Sequence, residues 1–276
     1  MPKTFNRREA VAGMGAVTLS SLLAACGNDS SSGTASTSVS TTMGSTATVD
    51  TKTTATADLF DDTSSCTLTV EETEGPYYFD VDSIRSDITE DKDGTALRLA
   101  IRVREAGECK PIEDAVVDIW HCDAGGVYSG FESASNSAGG GSGGPPPGPP
   151  PDGGGGDGGP GGGSEPTDDK TYLRGAQVTN SDGIVVFKTV YPGWYQGRTV
   201  HIHAKVHIDK KTVLTTQLFF DEQFTEKVYA SKPYSDDTGR DVFNDDDNIF
   251  DESLILKLSE EGDGTLGVIS FDVQTA

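Results

Sequence analysis

The sequence predicts an all-β domain, an antiparallel β-sandwich with long loops and few short helices. Three observations carry this. Apolar and polar residues alternate over several short stretches, Gly and Asp turns separate those stretches, and only 222–230 and 251–258 show helical spacing. In 96–104, entered from an Asp93-Gly94 turn, Leu97, Leu99, Ile101 and Val103 share one face. Arg98, Arg102 and Arg104 share the other, the pattern of a half-buried strand. The run from Ala115 to Trp120 is nearly all apolar, which suits a central strand covered on both faces. Asn180-Ser181-Asp182-Gly183 reads as a turn into a strand at 184–187, and 213–220 and 267–273 supply two more.

The stretch 200–208 is the most informative. Val200, Ile202, Ala204, Val206 and Ile208 fall on one face, and His201, His203, Lys205 and His207 on the other. Residues two apart on a strand lie about 6.5–7 Å apart along it, so two imidazoles on one face can converge on a metal. The same pattern fits a polar, solvent-facing strand, and it leaves open which two of the three His would bind.

Outside these strands the chain reads as non-globular in two places. Residues 27–64 are rich in Ser, Thr and Ala and poor in large apolar side chains, a composition that predicts a disordered tether. In 139–163, 15 of the 25 residues are Gly and 7 are Pro, with Ser142, Asp152 and Asp157 the remainder. Such a composition predicts disorder or an extended, mobile loop, either a lid over a nearby site or a tolerated insertion. The folded domain is therefore expected over 65–276, around that insert.

Residues 1–26 carry export information. Arg7-Arg8 precedes an apolar run that ends in Leu23-Ala24-Ala25-Cys26. A basic start, a short apolar segment and small residues before a cleavage point make a signal peptide, with a twin-arginine pair and a bacterial lipobox that would lipidate Cys26. The expected address is the outer face of a bacterial membrane, held only by that anchor. A formal net charge of −23 argues against nucleic acid and anionic lipid as partners. Asp245-Asp246-Asp247 lacks the Gly and distal Glu of a calcium loop and reads as a solvated turn. With Cys26 assigned to lipid, three cysteines remain. Cys66 and Cys109 flank strands in loop-like sequence and are the favoured bridge, while Cys122, at the end of an apolar strand, reads as a buried thiol.

Two segments join the His strand. Tyr191-Pro192-Gly193-Trp194-Tyr195-Gln196-Gly197-Arg198-Thr199-Val200-His201-Ile202-His203 gathers Tyr, Arg and the His pair around a Pro-Gly turn. Asp118-Ile119-Trp120-His121-Cys122-Asp123-Ala124-Gly125-Gly126-Val127-Tyr128 carries another Tyr on a Gly-containing loop. Two Tyr with two His suit a hard, high-valent metal such as iron(III) better than zinc. With Thr73-Glu74-Gly75-Pro76-Tyr77-Tyr78, Leu173-Arg174-Gly175 and Leu214-Thr215-Thr216-Gln217-Leu218-Phe219-Phe220, these segments resemble the secreted branch of the intradiol ring-cleavage dioxygenases, over roughly 66–276.

The resemblance implies a Fe(3+) cofactor held by Tyr128, Tyr195, His201 and His203. It implies a small aromatic diol and O2 as substrates, and a muconate-type diacid as product. Arg198 takes the place of the family's active-site arginine, Tyr195 that of the tyrosinate that leaves the metal and accepts a substrate proton, and Gln217 that of a glutamine near the iron. Tyr191 and Tyr172 compete with Tyr195 and Tyr128 as alternative tyrosines, and Tyr77 and Tyr78 either line a cleft or cap the sandwich. The spacing from Tyr195 to Arg198 is shorter than in cytoplasmic relatives, and the N-terminal helical region through which catechol 1,2-dioxygenases dimerise has no counterpart, which leaves the oligomeric state open. The rival readings are a non-catalytic, lipid-tethered β-sandwich that binds a ligand or metal, and a zinc hydrolase on His201 and His203.

Overall fold

A computed structural model of the chain describes residues 57–60, 66–139, 165–236 and 239–275. The export segment, Cys26 and nearly all of the Gly/Pro insert lie outside those residues. The described residues form eight strands: β1 Ala96–Glu105, β2 Val116–Trp120, β3 Arg174–Val178, β4 Ile184–Val190, β5 His201–Ile208, β6 Lys211–Phe219, β7 Lys257–Glu261 and β8 Gly264–Val273. Two short helices, α1 Glu132–Gly139 and α2 Glu222–Tyr229, complete the regular structure along with single 3-10 turns.

The strands make two four-stranded sheets, in the orders β4-β1-β8-β7 and β3-β2-β5-β6. All ladders within them are antiparallel except β1 with β8. The expected sandwich is thus formed, with one parallel pair at its centre. Alternation drives the packing. Leu97, Leu99, Ile101 and Val103 of β1 and Phe271 of β8 meet Val117 and Ile119 of β2, Ile202, Ala204 and Val206 of β5, and Leu218 of β6 in one buried core. Each fully buried aliphatic or Phe side chain contributes about 1.5–3 kcal/mol before the entropy of ordering it is subtracted.

Several elements differ from the sequence expectation. The arginine face of β1 is largely covered, because Arg104 pairs with Asp272 of β8 at 2.8 Å and Arg102 lies over the ring of Phe60, while Arg98 stays partly exposed. Phe60 falls inside the stretch expected as a tether, yet it is buried against Ala100, Ile184, Leu266 and Val268. The helix expected at 251–258 is one 3-10 turn, Glu252–Leu254, followed by β7. Leu254 and Leu256 are buried two residues apart, so period two prevails there over helical spacing. Strands β3 and β7 and helix α1 were not foreseen. The bridge between Cys66 and Cys109 is present and Cys122 is a buried free thiol, both as expected.

Candidate active site

Strand β5 turns Ile202, Ala204 and Val206 toward the core, and His201, His203 and Lys205 to the opposite face of the sheet. That face is also buried. Trp120 on β2 and Gln217 on β6 stand opposite His203 in register, so the three form a row across neighbouring strands. The Trp120 and His203 rings stack with centroids 4.9 Å apart. The segment before β1 lies over them: Tyr78 packs on Trp120, Lys205 pairs with Glu74, and the Lys205 ammonium sits 3.8 Å from the Tyr78 ring centre. Gly75 approaches so closely, at a φ of 72°, that a Cβ there would meet His203 Cε1 at 3.1 Å.

Two loops deliver the tyrosines. After β2 the chain folds around Asp123, whose carboxylate accepts the amides of Gly125 and Val127. Tyr128 then enters the interior, its own amide donating to Ser135 Oγ on α1. The second loop, 191–200, docks on the first through the Gly193 amide and the Asp123 carbonyl at 3.0 Å. Gly126, at a φ of 79°, lets the Trp194 carbonyl come against it; a Cβ would stand 2.3 Å from that oxygen.

The result is a convergence of four side chains. His201 Nε2 lies 3.0 Å from Tyr195 Oη, 3.5 Å from Tyr128 Oη and 3.2 Å from His203 Nε2. His201 Nδ1 donates to the Thr199 carbonyl at 2.6 Å, which leaves Nε2 a single lone pair facing three groups. One lone pair cannot serve three partners, whereas a cation among them would satisfy all four donor atoms together. Donors about 2.0–2.1 Å from one centre at angles of 90–110° stand about 2.8–3.4 Å apart, close to what is found here. His203 Nδ1 has no hydrogen-bond partner among the described residues, so its ring is held by the Trp120 stack and by Gly75.

Burial sets the charge state. It holds His201 down to about 3, with the Arg198 cation adding to the effect, and holds His203 well below the ordinary imidazole value. It pushes the Tyr128 and Tyr195 phenols up, and Arg198 pulls both the other way. The pocket therefore favours neutral imidazoles with aimed lone pairs and phenols that ionise only against a strong positive charge, the donor set that suits a hard, high-valent cation. Among the described residues, no group of three or more His, Cys, Asp or Glu is arranged to hold a metal, so the mixed Tyr and His set is the one to consider.

Arg198 lies beside the cluster. Its Nε donates to Asp247 at 2.8 Å and its Nη2 to Gln217 Oε1 at 2.6 Å, while Gln217 Nε2 donates to the Thr73 carbonyl. Both ends of the Gln217 amide are thus engaged within the protein. Asp247 was expected in a solvated turn. Asp245 and Asp246 are exposed, but the Asp247 side chain is only 3% exposed and braces Arg198. Nothing in the sequence marked it, since its partner is 49 positions away.

The competing residues lie elsewhere. Tyr191 is in the core and shares a bond with Thr225, and Tyr172 donates to Glu132 under Lys92. His121 is buried between the Cys122 carbonyl and Thr189, and His207 sits at the β5–β6 bulge near Thr212. Tyr77 and Tyr78 belong to a buried aromatic cluster with Trp120, Tyr128, Phe131 and Tyr195, so they line the site rather than cap the sandwich edge.

Comparison with solved structures places this arrangement. An intradiol ring-cleavage dioxygenase from Tetranychus urticae is 31% identical, covering 76% of this chain and 95% of that one, with a TM-score of 0.63. A second solved dioxygenase gives 31% identity over the same shares and a TM-score of 0.64. The dioxygenase domain of a dioxygenase carbohydrate-binding protein fusion from the cellulolytic bacterium Streptomyces sp. SirexAA-E is 27% identical, covering 76% of this chain and 99% of the domain, with a TM-score of 0.51. No family model matches the chain, and no curated protein does. Fold and relatives together define an oxygenase. The chain belongs to the intradiol ring-cleavage dioxygenase family.

Proposed function

We propose that this protein is a non-haem iron(III) dioxygenase that uses O2 to open catechol-type rings between the two hydroxylated carbons, giving muconate-type diacids. The observation that carries the reading is the buried convergence of His201 Nε2 with two phenolic oxygens and the His203 Nε2, each 3.0–3.5 Å from it. Tyr128, Tyr195, His201 and His203 would hold the metal, and iron(III) bound there would ionise the phenols and mediate electron exchange between diol and O2.

The chain's own residues prepare the rest. Tyr77, Tyr78, Trp120 and Phe131 exclude bulk water from the donors, which strengthens every electrostatic interaction inside. Tyr195 Oη, once ionised by the bound cation, would accept a proton from the incoming diol, and Arg198 favours that ionised form against burial. Arg198 faces the negative charge that develops on substrate oxygen, and two of its five N–H donors are already fixed by Asp247 and Gln217. Gln217 acts through Arg198 and keeps the guanidinium tied to the Thr73 segment. The same proposal sets the enzyme at the outer face of a bacterial membrane on a lipid at Cys26. Its supports are Arg7-Arg8, the Leu23 to Cys26 motif and a disulfide of the kind that persists in oxidising compartments.

The test is metal content, visible spectrum and O2 consumption with catechol, protocatechuate and hydroxyquinol. Aerobically purified protein is expected to hold about one iron per chain and to show a broad charge-transfer band from tyrosinate. Tyr128→Phe should lose part of the band and retain iron poorly, whereas Tyr195→Phe should keep much of the iron and turn over slowly. A colourless protein filled with zinc, or two Tyr variants with the parent spectrum, would overturn the reading.

A further inference from the structure

We infer that Asp247 is a positioning residue for the reaction, aiming the Arg198 guanidinium from a clasp formed by the acidic loop 241–247. The inference rests on the reading of the site given above. One carboxylate oxygen of Asp247 accepts both Arg198 Nε at 2.8 Å and the Thr199 amide at 2.9 Å, and the other accepts the Ile249 amide at 2.9 Å. Its side chain is more deeply buried than that of Arg198, 3% against 16% exposed. The carboxylate is therefore fixed by backbone donors, and the arginine is the partner that it orients.

Neighbouring residues fasten the same loop. Asp241 accepts the Gly197 amide at 3.1 Å, and Asn244 Oδ1 accepts the Thr199 hydroxyl at 2.7 Å. Arg240 donates to that hydroxyl while paired with Glu222 on α2. Every residue from Gly197 to Thr199 is thus bonded to the clasp, between Tyr195 on one side and His201 on the other. An unheld arginine loses rotamer freedom when it is aimed, a cost that a fixed partner meets in advance. With Nε held by Asp247 and Nη2 by Gln217, the position and tilt of the planar group are fixed, and the second terminal nitrogen, Nη1, is left to meet substrate.

A double-mutant cycle separates positioning from general support of the loop. Asp247→Ala is expected to lower kcat about 10- to 100-fold, with KM changed less, because misaiming a preorganised group weakens stabilisation of the transition state. In an Arg198→Ala background the same substitution should lower kcat by less than about twofold, since the group that it aims is gone. Asp247→Asn keeps an acceptor for the Thr199 amide but removes the charge. It should leave amide hydrogen exchange over 195–200 at the parent rate while kcat still falls, and it carries the cycle if Asp247→Ala does not fold. Parent kcat in both Asp247 variants, or an equal loss with and without Arg198, would overturn the inference. An iron-free parent that consumes no O2 with any of the three diols would instead remove the proposed function.

Discussion

Cutting the bridge between Cys66 and Cys109 should weaken the domain without disturbing its chemistry. The two cysteines are 43 positions apart, and the loop between them contains Gly75, Tyr77, Tyr78 and all of β1. Closing a loop of that length removes about 13 cal/mol/K from the unfolded chain, or about 4 kcal/mol at 25 °C. At about 2–4 °C per kcal/mol for a domain of this size, the double variant Cys66→Ser/Cys109→Ser should melt about 8–16 °C lower. The site should persist because the covering segment is laced down independently. Thr69 and Asp272 exchange two hydrogen bonds, the Glu72 amide donates to the Thr215 carbonyl, Thr216 donates to the Val70 carbonyl, and Gln217 donates to the Thr73 carbonyl. Urea unfolding and calorimetry under non-reducing conditions read the stability, and iron content and kcat at 25 °C read the site. A melting shift of less than about 2 °C would refute the loop-entropy argument. Loss of iron at unchanged stability would refute the independence of the cover.

Two further outcomes test the surroundings of the site. Burial holds His121 down to about 4 in the folded protein, below about 6.5 for the unfolded chain, so the stability it contributes is complete above about pH 6.5 and is lost as the pH falls toward 4. His121→Gln should therefore lose about 2–3 kcal/mol less than the parent between pH 7 and pH 4.5, measured as urea unfolding free energy; equal losses would count against it. Gly126→Ala combines a left-handed backbone with a Cβ driven against the Trp194 carbonyl. It should destabilise the domain by about 1–3 kcal/mol and separate the Tyr128 and Tyr195 loops, lowering iron content, and a variant with parent stability and iron would show that the two loops are not held in contact there.

Much of the sandwich was legible because burial on one side of a sheet writes itself as alternation. The faces of β1, β2 and β5 were readable from Leu97 to Val103, Ala115 to Trp120 and Val200 to Ile208. Strand β3, from Arg174 to Val178, contains a Gly and a Gln, and β7, Lys-Leu-Ser-Glu-Glu, is an edge strand whose side chains mostly face water. Neither carries a strong local signal. In Leu254-Ile255-Leu256-Lys257-Leu258 the same apolar residues satisfy both periods, and pairing with β8 decides between them. At the site, alternation selected the face carrying His201, His203 and His207 but could not separate the three. The Tyr128 and Tyr195 loops stood out for their Tyr and Gly residues beside the His strand, but loop residues have no period, and the family resemblance was what assigned the two tyrosines as ligands. Asp247 was illegible for a different reason: its meaning lies in Arg198 and Thr199, and distance along the chain hides such pairs.

The parallel pairing of β1 with β8 bears on how the enzyme is made. Strand β8 inserts between β1 and β7, so the sheet that carries β1 has no continuous hydrogen-bonded interior until Gly264–Val273 has left the ribosome. Strands β1 and β4 can pair earlier, but Leu97 to Glu105 must wait with one edge open until β8 is made. A nascent chain arrested before β8 would display an apolar strand edge ready to recruit another copy.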